Sequence, residues 1–470
     1  MIDKFLELSV KMKITLVLIF IIIIGVVLFM FFDNQNSKTD LTSATSKNLE
    51  IAEEVVKEIK EEVIVVAKDT TIDESLKEEK EEVVKFKDKE VKVPKAKVAS
   101  VNETEDAEKN KKTMKITNTQ VEIALSHVDD PDLGKSLTQL GMIQNIVTDE
   151  NKVEFDLVLT TPACPMKQRM KDDCIEAIHT YIDPNIDVVV NFKAKVLPAI
   201  NKNELFPGVK NIVVVASGKG GVGKSTVAVN LAIALSQAGA KVGLVDADCY
   251  GPSIPIMFNL KREDIMGEEH NGKMYMLPLE KYGIKLMSIG FMVDPNKALV
   301  WRGPMASNAV KQMLTDTYWG EIDYLVVDMP PGTGDIQLTI AQTLPVSGAV
   351  IVSTPQQVAL ADVVRGVEMF LSNDIKIPVL GFVENMAYFT PAELPNNKYY
   401  IFGKQGCKAL AEEMNIPLLG EIPLVQAIAD NGDNGTPTAL DSNSPEGKAF
   451  IALAENVAKE LSIINAKKVK

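Results

Sequence analysis

One segment of ten residues limits the possible folds of this chain more than any other feature of its sequence. Ser217–Thr226 reads SGKGGVGKST and lies between a run of β-branched residues and a stretch with helical character. It fits the pattern G-x-x-x-x-G-K-S/T, whose glycines let backbone N–H groups turn inward around phosphates at the N-terminus of a helix. An ordinary glycine-rich turn is the alternative, but the strand–loop–helix setting favours a phosphate-binding loop.

The residues of this loop are expected to contact different parts of the nucleotide. The Lys224 ammonium is expected to reach the β- and γ-phosphates, and the Ser225 hydroxyl is expected to ligate Mg²⁺. The residues expected to bind the nucleotide are Gly218, Lys219, Gly220, Gly221, Val222, Gly223, Lys224, Ser225 and Thr226.

Four short apolar runs accompany the loop. They are rich in β-branched residues, are unbroken by polar ones, and are each followed by helix-like sequence, which indicates strands buried on both faces of a parallel sheet. They are Ile212–Ala216, Val242–Val245, Tyr324–Val327 and Ala349–Val352. The sequence therefore predicts an α/β fold, a P-loop NTPase with a mostly parallel sheet.

Carboxylates follow two of these runs. Asp328 comes where nucleotide sites of this type hold the magnesium shell, and Gly332 in the next turn is a candidate sensor of the γ-phosphate. Asp246 and Asp248 follow the second run. A carboxylate there can orient the attacking water, or both can cap a loop.

The first 113 residues differ in composition from the rest. Ile14–Phe32 is apolar apart from Thr15 and Gly25, and at about 1.5 Å per residue it matches a bilayer core. We expect a membrane anchor at 1–32 with a transmembrane helix at 14–32, and a signal peptide is the rival. Residues 33–113 are rich in Glu, Lys and Val, which predicts a charged low-complexity tether, with a short coiled coil as an alternative within it.

A small α/β domain is expected at 114–198, before the ATPase domain at 206–462. It should contain an opening helix, strands at Val153–Leu159 and Ile186–Phe192, and a helix after Cys164. Two prolines bound the Cys164 loop, and the positive helix end should lower the pKa of this thiol. A reactive or metal-binding thiol is one interpretation and a small buried hydrophobe is the other; Cys174 is expected in the core.

The charge balance argues against a nucleic-acid partner. The chain has 50 Lys and Arg against 64 Asp and Glu, a net charge of −14, and no basic stripe. Its 4 cysteines form no Cys-x-x-Cys pair, which favours a reducing compartment.

Several motifs together resemble a known family. Lys219, before the double glycine, resembles the deviant Walker A motif of the ParA/MinD superfamily. The segments DADCYGPSIP from Asp246, WRGPM from Trp301, DMPPGTGD from Asp328 and VENM from Val383 resemble the Mrp (ApbC-like) iron–sulfur cluster carrier ATPases, from about Phe206 to Ala458. DDPDLG from Asp129 and TTPACPM from Thr160 are similar to the small domain that precedes the ATPase in many Mrp proteins.

The resemblance implies a Mg²⁺-dependent ATPase that forms homodimers and delivers iron–sulfur clusters to apo client proteins. It implies that Lys219 and Lys224 contact phosphates in catalysis, Lys219 from the partner chain. It also implies that Asp248 positions water, Asp328 serves Mg²⁺ and Asn385 reads the adenine.

The sequence departs from this family at one place. Mrp carriers have a Cys-x-x-Cys shortly after the Glu-Asn-Met motif, whereas Tyr388–Gly403 contains no cysteine and Cys407 follows alone. Any cluster must then use Cys164, Cys249 or Cys407, and Cys164 is the candidate iron–sulfur ligand.

The alternative function is a membrane-tethered ParA/MinD-like positioning or regulatory ATPase without metal. A kinase is a third possibility, but it would need an acceptor site or lid that is not evident in the sequence.

The chain is expected in the cytoplasm, where the anchor would tether it to the inner face of the cytoplasmic membrane. Lys4, Lys11 and Lys13 precede the apolar run. Positive residues favour the cytoplasmic side of a membrane, so they favour a cytoplasmic N-terminus with the ATPase outside. An ATPase outside would have no ATP. Met114 resembles the start of an Mrp small domain, so a product beginning there is the alternative to a fused anchor.

Overall fold

The structure is a computed structural model, and it describes most of the chain beyond the first 115 residues. The described residues are 116–199, 205–206, 208–260, 265–270, 272–292, 303–391, 393–394 and 396–468. The anchor expected at 1–32 and the tether expected at 33–113 lie outside them, as do Trp301 and Arg302. No helix among the described residues has the length and apolarity that crossing a membrane requires.

The small domain is a three-stranded sheet with two helices. Strand β4 is central, antiparallel to β3 and parallel to β5, because helix α2 provides the crossover that a parallel pair needs. Its own core includes Leu137, Phe155 and Leu157. The elements are α1 (Asn118–Leu125), β1 (Asp129–Asp130), β2 (Lys135–Ser136), β3 (Ile143–Thr148), β4 (Lys152–Leu159), α2 (Lys167–Tyr181) and β5 (Asp187–Ala194).

The large domain is built on an eight-stranded sheet in the order β10-β11-β7-β12-β6-β13-β14-β15. Strand β10 is antiparallel to β11, and the other neighbours are parallel. The four runs expected to be strands are β6, β7, β12 and β13. The strands are β6 (Val209–Ala216), β7 (Val242–Asp246), β10 (Leu279–Lys281), β11 (Ile284–Ser288), β12 (Ile322–Asp328), β13 (Gly348–Ser353), β14 (Val379–Phe389) and β15 (Leu418–Leu424).

Helices cover both faces of this sheet, as its uninterrupted apolar strands require. One buried cluster includes residues of α3 and α11, and the other includes residues of α6, α7, α8 and α9. A separate hairpin consists of β8 (Gly267–His270) and β9 (Lys273–Met276). The helices are α3 (Lys224–Gln237), α4 (Ile254–Met257), α5 (Ile289–Met292), α6 (Gly303–Thr315), α7 (Asp335–Thr343), α8 (Gln357–Leu371), α9 (Gly406–Met414), α10 (Gln426–Asp433) and α11 (Pro445–Lys468), with a 3₁₀ turn at Thr438–Leu440.

The small domain is packed into the large one. Ala163 and Val196 belong to the same buried cluster as α3 and α11, and Tyr324 Oη on β12 donates a hydrogen bond of 3.0 Å to Thr161 Oγ1. The Leu197 carbonyl accepts from the side-chain amide of Asn211 at 3.0 Å. The two domains therefore share part of one core.

Candidate functional site

The loop between β6 and α3 takes a shape that its glycines permit. Gly221 and Gly223 have φ angles of +80° and +81°, in the left-handed region that side chains disfavour. Gly218 lies directly against the Asp362 backbone of α8, where a Cβ atom would collide with the carbonyl group. The loop therefore depends on glycine for its turns and for its contact with α8.

Lys224 is the first residue of α3, and its ammonium is buried among carboxylates. Its Nζ atom lies 2.7 Å from Asp328 Oδ1, 3.6 Å from Asp248 Oδ2 and 3.3 Å from Ser225 Oγ. The parallel sheet brings these groups together because β7, β12 and β6 are neighbours whose carboxyl ends meet at one edge.

Asp328 presents one carboxylate oxygen that has no hydrogen-bond partner. Its Oδ2 atom is buried and unpaired, a costly arrangement for a polar atom. Burial raises the pKa of Asp328, while the Lys224 ammonium and the Ser225 hydroxyl oppose that rise. Hydroxyl and carboxylate oxygens are the ligands that Mg²⁺ prefers, so Ser225 and Asp328 fit the metal that the sequence predicts.

The two carboxylates at the end of β7 have different positions. Asp246 is fully buried, and its oxygens accept from Ser288 Oγ at 3.0 Å, Ile254 N at 3.1 Å and Asp248 N at 3.2 Å. Burial and the charge of Asp328 raise the pKa of Asp246 to about 7. Asp246 therefore supports the loop, and Asp248 is the carboxylate that faces Lys224.

The turn that follows Asp328 lies against the phosphate loop. The Gly332 N–H donates to the Ser217 carbonyl at 2.8 Å, and the φ angle of Gly332 is +92°. Gln337 Nε2 donates to the Pro330 carbonyl at 3.1 Å and so stabilises the turn. A change in the conformation of the phosphate loop would thus act directly on the hydrogen bond of Gly332.

Asn385 lies at the phosphate loop and is buried there. Its Nδ2 atom donates a hydrogen bond of 2.8 Å to the Val222 carbonyl, and the same amide leaves no room for a Cβ atom at Gly223. This contact supports the loop, and the reading of adenine by Asn385 stays a prediction.

The neighbouring carboxylate of Glu384 was missed by the sequence reasoning. It is buried and accepts a hydrogen bond of 2.6 Å from the Cys407 N–H, which fixes the start of α9 to β14. Burial raises the pKa of Glu384. The sequence could have indicated this contact. Glu384 lies between the apolar residues Phe382–Val383 and Ala387, and a buried carboxylate needs a hydrogen-bond partner.

The two lysines of the loop differ in exposure. Lys219 is exposed, whereas Lys224 is buried. The backbone carbonyl of Lys219 accepts from Ser217 Oγ at 2.9 Å, so the backbone is held while the side chain points into solvent. The contact of Lys219 with the phosphates of a partner chain stays a prediction.

Three of the four cysteines are in the protein core. Cys174, Cys249 and Cys407 are buried, which confirms the prediction for Cys174. Burial raises the pKa of Cys174 and Cys249 to about 12 and raises that of Cys407 as well. Such thiols remain protonated and are poor metal ligands. Cys249 and Cys407 are therefore unsuited to the cluster role that the sequence left open for them.

Cys164 is half-buried, and the expectation of a lowered pKa is wrong. It precedes α2, as expected, but burial raises the pKa of its thiol, and the charges of Asp130, Asp132 and Glu455 add to that rise. These groups come from other parts of the chain, so a local helix end could not reveal them. Among the described residues, no group of three or more His, Cys, Asp or Glu side chains could hold a metal ion.

The segment that replaces the family's cysteine pair forms a hairpin-like turn with an aromatic surface. Phe389 pairs with Tyr399, and Lys398 Nζ lies 3.7 Å from the centre of the Tyr388 ring. The side chains of Tyr399 and Ile401 are 45% and 59% exposed. This surface is suited to packing and offers no thiolate.

Both domains match known families. The family described as NUBPL iron-transfer P-loop NTPase matches residues 208–458, and the one described as iron–sulfur cluster assembly protein matches residues 118–190. An iron–sulfur cluster carrier protein of Synechocystis sp. is 43% identical over 350 residues, which are 74% of this chain and 99% of the relative.

A second relative and a solved structure are also similar to this chain. The iron–sulfur cluster transfer protein NUBPL of Dictyostelium discoideum is 44% identical over 314 residues, which are 66% of this chain and 95% of the relative. The structure of a nucleotide-binding protein of Archaeoglobus fulgidus in complex with ADP is 36% identical, covers 52% of this chain and 93% of its own, and has a TM-score of 0.43.

Proposed function

The chain belongs to the family of NUBPL iron-transfer P-loop NTPases, and on that premise we propose that it hydrolyses ATP and carries iron–sulfur clusters to apo client proteins. The observation that carries the ATPase part is the buried Lys224 ammonium between Asp328 and Asp248, at the start of the helix that follows the phosphate loop. The relatives named as cluster carriers favour this function over a positioning ATPase without metal.

Nucleotide binding would redistribute the charges around Lys224. The ammonium now neutralises Asp328 at 2.7 Å, and the β- and γ-phosphates would compete for it with a larger negative charge. Asp328 and Ser225 would then hold Mg²⁺, which neutralises charge on the phosphate oxygens. Asp248 would orient the attacking water, because its Oδ2 atom lies 3.6 Å from the Lys224 ammonium that would contact the γ-phosphate.

Cluster binding would require more than one chain. Cys164 is the one described cysteine that is not buried, and a cluster needs several thiolates or other ligands. We infer that two Cys164 thiolates of a homodimer, or one together with client ligands, hold the cargo. Such a site releases its cluster readily, as a carrier must.

Two measurements on the full chain test these parts separately. Mg²⁺-dependent ATP hydrolysis and ATP-dependent dimerisation in sedimentation test the ATPase, and Lys219→Ala should lose both while it keeps most of its ATP affinity. A Lys219→Ala chain that dimerises with ATP as the parent does contradicts the assignment of Lys219.

Anaerobic reconstitution tests the cargo. Iron and sulfide bound by the full chain should transfer to an apo iron–sulfur protein, and Cys164→Ser should bind much less of both. ATP hydrolysis without any bound iron would instead support the positioning or regulatory ATPase.

A further inference from the structure

A recess lies where the small domain meets the last helix of the large one. Its enclosed space is about 20 Å³, which is room for about one water molecule. Cys164 and Asp132 line it from the small domain, and Lys459, Ser462 and Ile463 of α11 line it from the large domain. The thiol that the sequence singles out therefore faces α11, which limits its contact with solvent.

An ion pair joins the two sides of this recess. Lys459 Nζ lies 2.7 Å from Asp132 Oδ1, and the two side chains are 31% and 19% exposed. Asp130 fixes the Asp132 loop, because its Oδ1 atom accepts from Asp132 N at 2.8 Å and from Leu133 N at 2.9 Å. The carboxylate is thus held in place for Lys459, yet a partly exposed pair is a weak contact.

The other side of the junction is closed much more firmly. Ala163, next to Cys164, is buried in the core of the large domain, and the hydroxyl groups of Thr161 and Tyr324 are hydrogen-bonded and buried. Separating these groups would expose apolar surface to water and would break the hydrogen bond between the two hydroxyls. The polar rim at Lys459 can therefore open while the base of the Cys164 loop stays docked.

We propose that the contact between the Asp132 loop and α11 acts as a cover over the Cys164 thiol, that the Lys459–Asp132 ion pair holds this cover closed, and that the thiol becomes accessible when the contact opens. The inference deepens the proposed carrier function, since it rests on Cys164 as the thiol that meets the cargo. Burial and three nearby carboxylates keep the closed thiol protonated, so a covered Cys164 would also resist oxidation.

The rate of alkylation of Cys164 tests this cover. The full, metal-free chain is treated with N-ethylmaleimide, a neutral reagent, and the modification of each cysteine is followed by mass spectrometry. We expect Lys459→Met to raise the rate at Cys164 about fivefold, the shift in population that loss of one partly exposed ion pair can produce. Lys448→Met, which removes an exposed lysine from the same helix, is the matched control and should leave the rate unchanged.

The sign of the effect separates a cover from simple electrostatics. Removing the Lys459 charge raises the thiol pKa and would slow alkylation if accessibility stayed the same. A rate that is unchanged or slower in Lys459→Met therefore overturns the proposal. An equal increase at Cys174, Cys249 and Cys407 also overturns it, because that result means general unfolding.

A charge exchange gives an independent check. Asp132→Lys and Lys459→Asp should each accelerate alkylation, and the double variant should return to within about twofold of the parent, as coupled residues do. Acceleration that persists in the double variant contradicts a latch made by this pair. Because alkylation needs no cluster, a chain that binds no iron would refute the carrier function and leave the test of the cover intact.

Discussion

Lys224 Nζ lies 2.7 Å from Asp328 Oδ1, and the two side chains are 6% and 0% exposed. The residue that is expected to bind phosphate is therefore also the counter-ion of the residue that is expected to bind the metal. One cation thus offsets the charge of a fully buried carboxylate and is also the group expected to attract the phosphates.

Replacing Lys224 should affect both binding and stability. Lys224→Ala is expected to abolish measurable ATP binding, because it removes the charge that faces the β- and γ-phosphates. It also leaves the Asp328 carboxylate buried without a cation, which should lower the free energy of unfolding of the nucleotide-free chain at neutral pH by about 3 kcal/mol. Calorimetric titration and denaturant unfolding measure the two effects.

Lys219→Ala is the control for this prediction. Its side chain is exposed, so the free energy of unfolding should change by less than about 0.5 kcal/mol. Equal stability of the Lys224→Ala chain and its parent would mean that Lys224 does not stabilise the buried Asp328 carboxylate.

The contact between Asn385 and Val222 predicts the nucleotide dependence of an Asn385 variant. Asn385→Ala removes the 2.8 Å hydrogen bond that supports the phosphate loop, and affinity for a nucleotide should fall by about tenfold. Comparing ATP with GTP separates two roles. Equal losses for both indicate support of the loop, whereas a loss confined to ATP indicates that Asn385 reads the adenine.

The raised pKa of Asp246 predicts how the stability of the chain depends on pH. An aspartate in an unfolded chain has a pKa of about 3.9, and burial and the charge of Asp328 raise the pKa of Asp246 to about 7 in the folded chain. The folded state therefore binds more protons than the unfolded state between about pH 4 and pH 7, and the free energy of unfolding falls as pH rises through this window. The contribution of this one group reaches about 1.4 kcal/mol per pH unit.

Denaturant unfolding at several pH values between 5 and 8 checks this contribution. Asp246→Asn should flatten the fall in stability relative to the parent, while Asp374→Asn, at an exposed position, should keep it. Parallel curves for the parent and Asp246→Asn would show that Asp246 titrates normally in the folded chain.

The hydrogen bond between Tyr324 and Thr161 predicts a coupling between the domains. Tyr324→Phe loses this buried bond, and the free energy of unfolding should fall by about 1 kcal/mol. Thr161→Val should cost more, because it also leaves the Ala163 N–H without its 3.3 Å acceptor. The double variant should cost less than the sum, because neither hydroxyl is then left unpaired. Strict additivity in thermal or denaturant unfolding would deny that the two hydroxyls interact.

Features that depend on local sequence were predicted well. The stretch that follows the phosphate loop is a helix, and the runs at Val242 and Ala349 are strands, because apolar β-branched runs followed by helices leave few alternatives. The glycines of the phosphate loop were recognised for the same local reason.

Features that depend on packing were not predictable from the sequence. Asp246 and Asp248 both follow β7, and only the position of Ser288 on the adjacent strand shows which one supports the loop. The pKa of Cys164 is set by burial and by Asp130, Asp132 and Glu455, the last of which is far away in the sequence. Local rules cannot supply such neighbours, since they arise from the fold.

The burial of Ala163 and Val196 in the core of the large domain has a consequence for how the two parts can change over evolutionary time. A domain joined only by a linker can be lost, exchanged or fused elsewhere without altering its neighbour. Here, removing the small domain would leave apolar side chains around α3 and α11 facing water. Substitutions at the docking loop and on those helices should therefore arise together, although the sequences of the two domains match two separate families.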